Sequence, residues 1–403
     1  MSEYLFSGLK VVDCASVIAA PAAAMMLADF GADVIKIEQP GEGDMLRMLS
    51  NIITTPDAES NWFWELDGRN KRSIALDLKS GKGREIIRKL VQDCDVFITN
   101  QPAGVRESLG LTYEILRPIN KKMIYASLTA YGEKGPESDR KGFDQLAYWA
   151  RSGLMDLMRE PGTRPTQGLP GMGDHPTGVS LYAGIVTALL QRERTGEGGL
   201  VHTSLLANGL WSAAGIAQGV MAGGDMSSYR KKSQFYPAMM CPYRTEDDRW
   251  LQFNMVRTDE LLALLLTALD GLDLFADERF LTADLMLENR GDLGAELQEL
   301  VSRKNAAEWM AIFKSFDLPV NLIAKVEETV DDPQILQNEM VVVPDSSGVL
   351  TRLIINHPIK ISNVDQVGPK KAPELGEHGP EILRELGYDE RQIEVMRGNG
   401  VIG

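Results

Sequence analysis

Leu9-Lys10-Val11-Val12-Asp13-Cys14 is a short β-type run, Pro21 to Phe30 is Ala/Met-rich, and after Gly31 the chain alternates as Asp33-Val34-Ile35-Lys36-Ile37-Glu38. Alanine and methionine favour helix, glycine stops it, and the flanking β-branched runs read as strands. The stretch is therefore a βαβ unit whose helix, nearly free of charge, belongs between layers. A second such unit follows: Ser73 to Leu78, a helical pattern from Gly83 to Val91, then Val96 to Thr99, with a further strand at Met123 to Leu128. Strands alternating with helices at these lengths predict an α/β fold with a parallel sheet covered on both faces.

Farther along the chain, Val179 to Leu190 and His202 to Met221 read as two long apolar helices separated by a turn at Arg192 to Gly199. Gly223-Gly224-Asp225 and Ser227 to Ser233 read as a linker. From about Tyr243 a new unit begins, with a strand at Trp250 to Asn254 and helices at Asp259 to Leu269, Leu293 to Val301 and Ala306 to Phe316. Strands return around Leu318 to Val326 and Leu350 to Ile361, and Gly379 to Met396 reads as a helical hairpin.

The 403 residues call for more than one structural unit, and 44% hydrophobic with 25% charged residues is a globular composition. A net charge of −15, from 57 acids and 42 bases, argues against nucleic acid and anionic membrane as partners. The apolar run Val17 to Ala28 is about half a membrane span, contains Pro21 and has no basic segment before it. Cys14, Cys94 and Cys241 are too scattered for a disulfide framework or a zinc site, which points to a reducing, cytoplasmic setting.

Common motifs are absent: no GxGxxG after the first strand, no P-loop around Gly81-Lys82-Gly83, no GxSxG, HExxH or CxxC. With only His175, His202, His357 and His378, no metal site is expected. Between Arg69 and Lys89 eight basic residues face two acids, Asp77 and Glu85. This cluster is either a landing site for a small polyanion or a solvated helix face. The second candidate is the run Gly168 to Gly178, with Asp174 just ahead of a helix. Asp174 reads as an N-cap or, held ionised at a helix N-terminus with small residues around it, as a nucleophile; His175 could act as a base.

In this order, these residues resemble the family III CoA-transferases, the family of formyl-CoA and carnitine CoA-transferases. The resemblance covers nearly the whole chain: Gly8 to Asp13 with Ala20-Pro21, Gly31 to Glu38, Gly41 to Asp44, Asn70 to Lys79, Gly173-Asp174, Arg194 to Gly198 and Leu375 to His378. It implies Asp174 as nucleophile, passing through an aspartyl mixed anhydride and an aspartyl-CoA thioester, with coenzyme A as substrate and no permanently bound cofactor. The glycine run before Asp174 is a candidate source of oxyanion donors. CoA contacts carry over onto Val17, Ile18, Ala19, Leu76, Asp77, Lys79, Asn100, Gln101, Arg140, Lys141, Gly142 and Phe143, with Lys79 and Lys141 near phosphates. Gln39 stands where formyl-CoA transferase has an arginine, and a second arginine falls near Ser108, with Arg106 as its substitute. That enzyme's glycine-rich loop is not evident, which argues against a formyl or oxalyl substrate.

Acyl-CoA racemases of the same superfamily pair the aspartate with a histidine in Gly-His-Asp; here the segment is Gly142-Phe143-Asp144, and phenylalanine moves no proton. Lys141 to Asp144, Tyr148 to Gly153 and Gly173-Asp174-His175 are similar to phenyllactate and 2-hydroxyisocaproate CoA-transferases, with bile-acid and carnitine-type transferases nearby. Tyr148 and His175 are the substrate-contact candidates; Tyr148 and Trp149 could equally be core. The resemblance implies a large Rossmann-like domain from residues 1–222, a linker at 223–231, a smaller α+β domain at 232–330, a return to the large domain over 331–403, and an interlocked homodimer. The other class kept open is a CoA-binding protein without turnover, in which Asp174 is only a cap.

Overall fold

A computed structural model of the chain describes residues 4–52, 55–227, 229–231, 238–255, 258–345 and 348–403. The opening stretch folds as strand β1 (Lys10–Asp13), helix α1 (Ala19–Asp29) and strand β2 (Asp33–Glu38). Helix α2 (Trp62–Gly68), β3 (Arg72–Ala75), α3 (Gly81–Asp93), β4 (Val96–Thr99), α4 (Ala103–Leu109), α5 (Tyr113–Leu116) and β5 (Ile124–Thr129) follow. After α6 (Leu154–Met158) come the long α7 (Asp174–Thr195) and β6 (Gly199–Ser204), then α8 (Leu205–Ser212) and α9 (Ala214–Met221).

The six strands form one parallel sheet in the order β3-β2-β1-β4-β5-β6. This is the doubly wound Rossmann order, with the direction of winding reversing between β1 and β4. Successive residues of each strand go to opposite layers. Val11, Val34 and Ile98 pack into the core holding α1 and α7, whereas Val12, Ile35 and Phe97 pack into the core holding α3 and the C-terminal helices. Helix α1 is buried along its whole length, as its lack of charge predicts. A Cβ on Gly178 would lie 2.6 Å from the Ala19 carbonyl oxygen, so this glycine is what lets α7 cross close over the start of α1.

One expectation fails here. His202 to Met221 is not a single helix, because Gly199–Ser204 pairs with β5 as the last strand of the sheet and the helices start at Leu205. Ser204 marks the change, its side chain accepting from the Ala207 N–H as an N-cap. The turn before it is also shorter than expected: α7 runs to Thr195 and stops at Gly196 in the left-handed region.

The chain divides into two compact units, one from the described residues of Met1–Met158, Pro165–Ala217 and Pro333–Gly403, the other from those of Arg159–Arg164 and Gln218–Asp332. The second unit has its own three-stranded antiparallel sheet, β7 (Pro242–Arg244), β8 (Trp250–Phe253) and β9 (Val320–Leu322). Helices Thr258–Ala268, Arg290–Val301 and Ala306–Ser315 cover it around Phe253, Leu297, Trp309 and Phe313. The expected linker and the start of the small domain fall partly on residues 228 and 232–237, outside the described residues. In the returning segment the expected strand at Leu350 to Ile361 shrinks to Ile354–Ile355, paired with Val341–Val342. The terminal hairpin is formed by Gly379–Glu385 and Glu390–Gly398, the latter opened by an Asp389/Gln392 capping box.

Candidate active site

In a parallel sheet every strand delivers its following loop to the same rim, and a doubly wound sheet opens a crevice at its switch point. Here the loops after β1 and β4 splay apart, and between them lies a cleft of about 230 Å³. Val17, Ile18 and Ala19 line it from the first loop and Asn100, Gln101 and Pro102 from the second. Leu128, Thr129, Ala130, Lys141, Gly142 and Phe143 line it from the end of β5 and beyond, and Asp174 enters it from α7.

The β1–α1 turn holds its shape without glycine. Val17 sits at φ 66°, a left-handed conformation rare for a β-branched residue. It is pinned by its N–H, which donates to Asp44 Oδ1 at 2.9 Å. Asn100 staples the same turn, accepting from the Ser16 N–H at 2.9 Å and donating to the Ser16 carbonyl at 2.7 Å. Beneath it lies a buried charge network. Lys36 Nζ pairs with Asp44 at 2.6 Å and donates to the Ala15 carbonyl, while Lys71 Nζ pairs with Asp13 at 3.0 Å. Burial pushes the Lys36 ammonium down, but Asp13 and Asp44 outweigh it and hold the group well above its ordinary range.

Asp174 is the first residue of α7, and the N-cap is Gly173. The cap reading of Asp174 is thereby corrected: it is Asp144, not Asp174, whose carboxylate accepts from the helix start. Its electrostatics also differ from those of a simple helix N-terminus. Burial, then the charges of Asp144 and Asp67, outweigh His175 and raise Asp174 to about 7. The glycine approach is already occupied. The Gly173 N–H donates to Asp144 Oδ2 at 3.1 Å and the His175 N–H to the Gly171 carbonyl at 3.0 Å, so these amides are not open oxyanion donors. Asp144 is buried, and burial raises its carboxyl against the lowering effect of that Gly173 bond.

Several sequence candidates lie elsewhere. Leu76 is core and bridges to Ile402. Asp77 accepts from the Lys79 N–H at 2.9 Å in the loop after β3, on the same rim as the cleft but two strands from β1. Arg106 is buried and paired with Glu133 at 2.7 Å, which also accepts from Ser127 Oγ at 2.5 Å. Arg140 pairs with Glu137 and lies over the Tyr131 ring. Tyr148 is buried in a π-helical turn (Gln145–Ala150), its hydroxyl 2.7 Å from Ser212 Oγ. Three of the eight residues in the basic cluster are internal wiring: Arg69 pairs with Asp29, Lys71 with Asp13, and Arg72 with Asp33, Glu381 and Glu385, whereas Lys79 and Arg88 are exposed. Sequence reasoning missed Asp67 altogether, since Trp62-Phe63-Trp64-Glu65-Leu66-Asp67-Gly68 carries no motif.

Fold and cleft together define a doubly wound α/β protein with a crevice at the switch point and a carboxylate of raised affinity for its proton at the crevice wall. The chain belongs to CoA-transferase family III, which it matches over residues 6–379. It is 32% identical over 399 residues to the (R)-2-hydroxy-4-methylpentanoate CoA-transferase of Clostridioides difficile, covering 99% of both chains. It is also 32% identical to the cinnamoyl-CoA:phenyllactate CoA-transferase of Clostridium sporogenes, covering 97% of this chain and 96% of that one. A crystal structure of a CAIB/BAIF family protein from Brucella suis superimposes with a TM-score of 0.82 at 31% identity, covering 95% and 99% of the two chains. The protein is thus a transferase of a family whose substrates include CoA. Among the described residues no helix is long and apolar enough to cross a membrane.

Proposed function

We propose that this transferase moves CoA from an acyl-CoA thioester to a free carboxylic acid of the 2-hydroxy, branched or aromatic kind, with Asp174 as nucleophile. A carboxylate oxygen of Asp174 attacks the thioester carbonyl carbon; the C–S bond breaks and CoA thiolate leaves with its electron pair, giving an acyl-aspartyl anhydride. The thiolate then attacks the aspartyl carbonyl, releasing the donor acid as carboxylate and leaving an aspartyl-CoA thioester. The acceptor carboxylate attacks that thioester, re-forming an anhydride and thiolate, and the thiolate takes the acceptor's acyl carbonyl to release the new acyl-CoA and Asp174. No proton or electron is left over.

The observation that carries the reading is Asp174 in the wall of the switch-point cleft, its carboxylate unused in capping. The CoA contacts proposed are Val17 to Ala19, Asn100, Gln101 and Lys141 to Phe143 along the cleft, with Leu76, Asp77 and Lys79 farther along the rim. Arg106 and Arg140 keep a weaker claim, since each already has an acidic partner. The acceptor class rests on the two hydroxy-acid relatives. Phe143, 55% exposed at the cleft, supports transfer over racemisation, having no proton to exchange. The scatter of Cys14, Cys94 and Cys241 along the chain supports a cytoplasmic setting, and exposed large apolar residues, Trp211 above all, support a homodimer.

The test is to incubate the protein with an acyl-CoA, add hydroxylamine and map the product. A hydroxamate at residue 174, absent in Asp174→Asn, is expected. An unmodified protein that still binds CoA would leave only a binding role. A panel of carboxylic acids against acetyl-, succinyl- and aryl-CoA donors then ranks the acceptors.

A further inference from the structure

Asp67 is fully buried at the end of α2, and among the described residues neither of its carboxylate oxygens has a hydrogen-bond partner. Buried carboxylates are rarely left so, because an uncompensated charge in a low-dielectric site is costly. The cation available to it is His175: its Nε2 lies 3.4 Å from Asp67 Oδ2, close enough for an ion pair but too long for a well-formed hydrogen bond. The other ring nitrogen, Nδ1, lies 3.1 Å from the Gly171 carbonyl oxygen, which can only accept. Both nitrogens therefore face acceptors. A neutral imidazole would turn a lone pair toward one of them, whereas an imidazolium satisfies both.

We propose that Asp67 and His175 are positioning residues for the transfer reaction, a fixed carboxylate–imidazolium pair that sets a permanent positive charge beside the nucleophile and favours its ionised form. The inference rests on the reading of Asp174 as nucleophile. The neighbourhood explains the need. Asp174 shares the site with two other carboxylates, Asp144 from the segment after β5 and Asp67 from α2, and is half-buried. The facing charges are those two acids and His175, with Lys141 in the cleft wall and Lys71 acting on Asp67. Without the imidazolium, three acids would stand together and the nucleophile would keep its proton at neutral pH. The same charge opposes loss of the proton from His175: burial pulls the imidazole down, but Asp67, then Asp174, hold it up at about 9. His175 is 40% exposed, so it remains reachable by solvent protons while Asp67 does not.

Two measurements test this. Histidine ring NMR, with the signal assigned by its loss in His175→Gln, follows protonation directly. In the wild-type protein the signal is expected to stay at the imidazolium position to at least pH 8, and in Asp67→Asn to titrate at least one pH unit lower. The pH profile of kcat/KM supplies the second readout. In His175→Gln the acid limb is expected to move up by about one unit, so that the loss is roughly tenfold at pH 6 and shrinks as pH rises. In Asp67→Asn, which removes a carboxylate that itself raises Asp174 while His175 stays charged at pH 6, the acid limb is not expected to move up. A purely structural defect would lower the rate evenly across pH. A wild-type His175 that is neutral at pH 7, or an acid limb that stays in place in His175→Gln, overturns the proposal. The hydroxamate at residue 174 is independent of either result, so failure of the pair and failure of the nucleophile are distinguished.

Discussion

Ionising Asp174 runs against the preference of its surroundings, and that conflict is measurable in the folded protein's stability. A carboxyl whose proton affinity is raised on folding, here from 3.8 to about 7, binds more protons in the folded state than in the unfolded state between those values. Stability therefore falls as pH rises through that window and levels off above it. Asp174→Asn lacks this cost. The variant is expected to melt at a higher temperature than wild type at pH 8, with the advantage fading as pH falls toward 4, which paired thermal melts across pH will show. The N-cap, Gly173, makes a second prediction. An ideal Cβ there would lie 2.4 Å from both Asp144 Oδ1 and the Tyr148 ring, two buried groups that cannot give way easily. Gly173→Ala should cost about 1–3 kcal/mol in urea unfolding and most of the activity, because Asp144 must release the amide that holds the approach to Asp174.

At the scale of elements, the β1–α1 turn is held by charge where other doubly wound proteins use glycine. Asp44 does two things at once: it neutralises Lys36 beneath the sheet rim and fixes the N–H of Val17 in its left-handed conformation. Asp44→Ala leaves a buried ammonium short of a partner, with an expected cost of about 3–5 kcal/mol in denaturant unfolding. The same variant frees the cleft-lining Val17, so the KM for acyl-CoA should rise in whatever folded protein is left. These elements differ in how far sequence could foresee them. The β1, α1 and β2 stretch was readable because alternation and a charge-free alanine run are local properties. The roles of Lys36, Arg69 and Lys71 were not, because their partners lie far off in sequence or across the sheet. Arg69 meets Asp29 forty residues before it, and Arg72 meets Glu385 more than three hundred after it. Counted along the chain Arg69, Lys71 and Arg72 look like part of one basic patch; folded, they are separate ion pairs. Strand β6 was hidden for a related reason, since its Leu200, Val201 and His202 run straight into an apolar helix and only pairing with β5 makes them a strand. Asp174 was found through its glycine neighbours, while Asp67 joins it only through the packing of α2.

For the whole molecule, the surface bears on assembly. The sheet ends at β6, whose outer edge has no partner strand among the described residues. An open edge of this kind is normally covered. The first unit also exposes large apolar side chains: Leu190 on α7, Leu200 on β6, and Leu210 and Trp211 on α8, the indole being 80% exposed. Scattered apolar residues need no explanation, but a tryptophan this bare is the candidate for a contact surface. A second copy is the partner the homodimer reading supplies. Light scattering should therefore give about 89 kDa, twice the 44.4 kDa chain. Trp211→Glu places a charge in the proposed contact without touching the core, so it should shift the population toward 44 kDa at micromolar concentration while the isolated chain keeps its far-UV circular dichroism. A wild-type protein that runs as a monomer at every concentration would end the dimer reading and leave the exposed indole to some other partner.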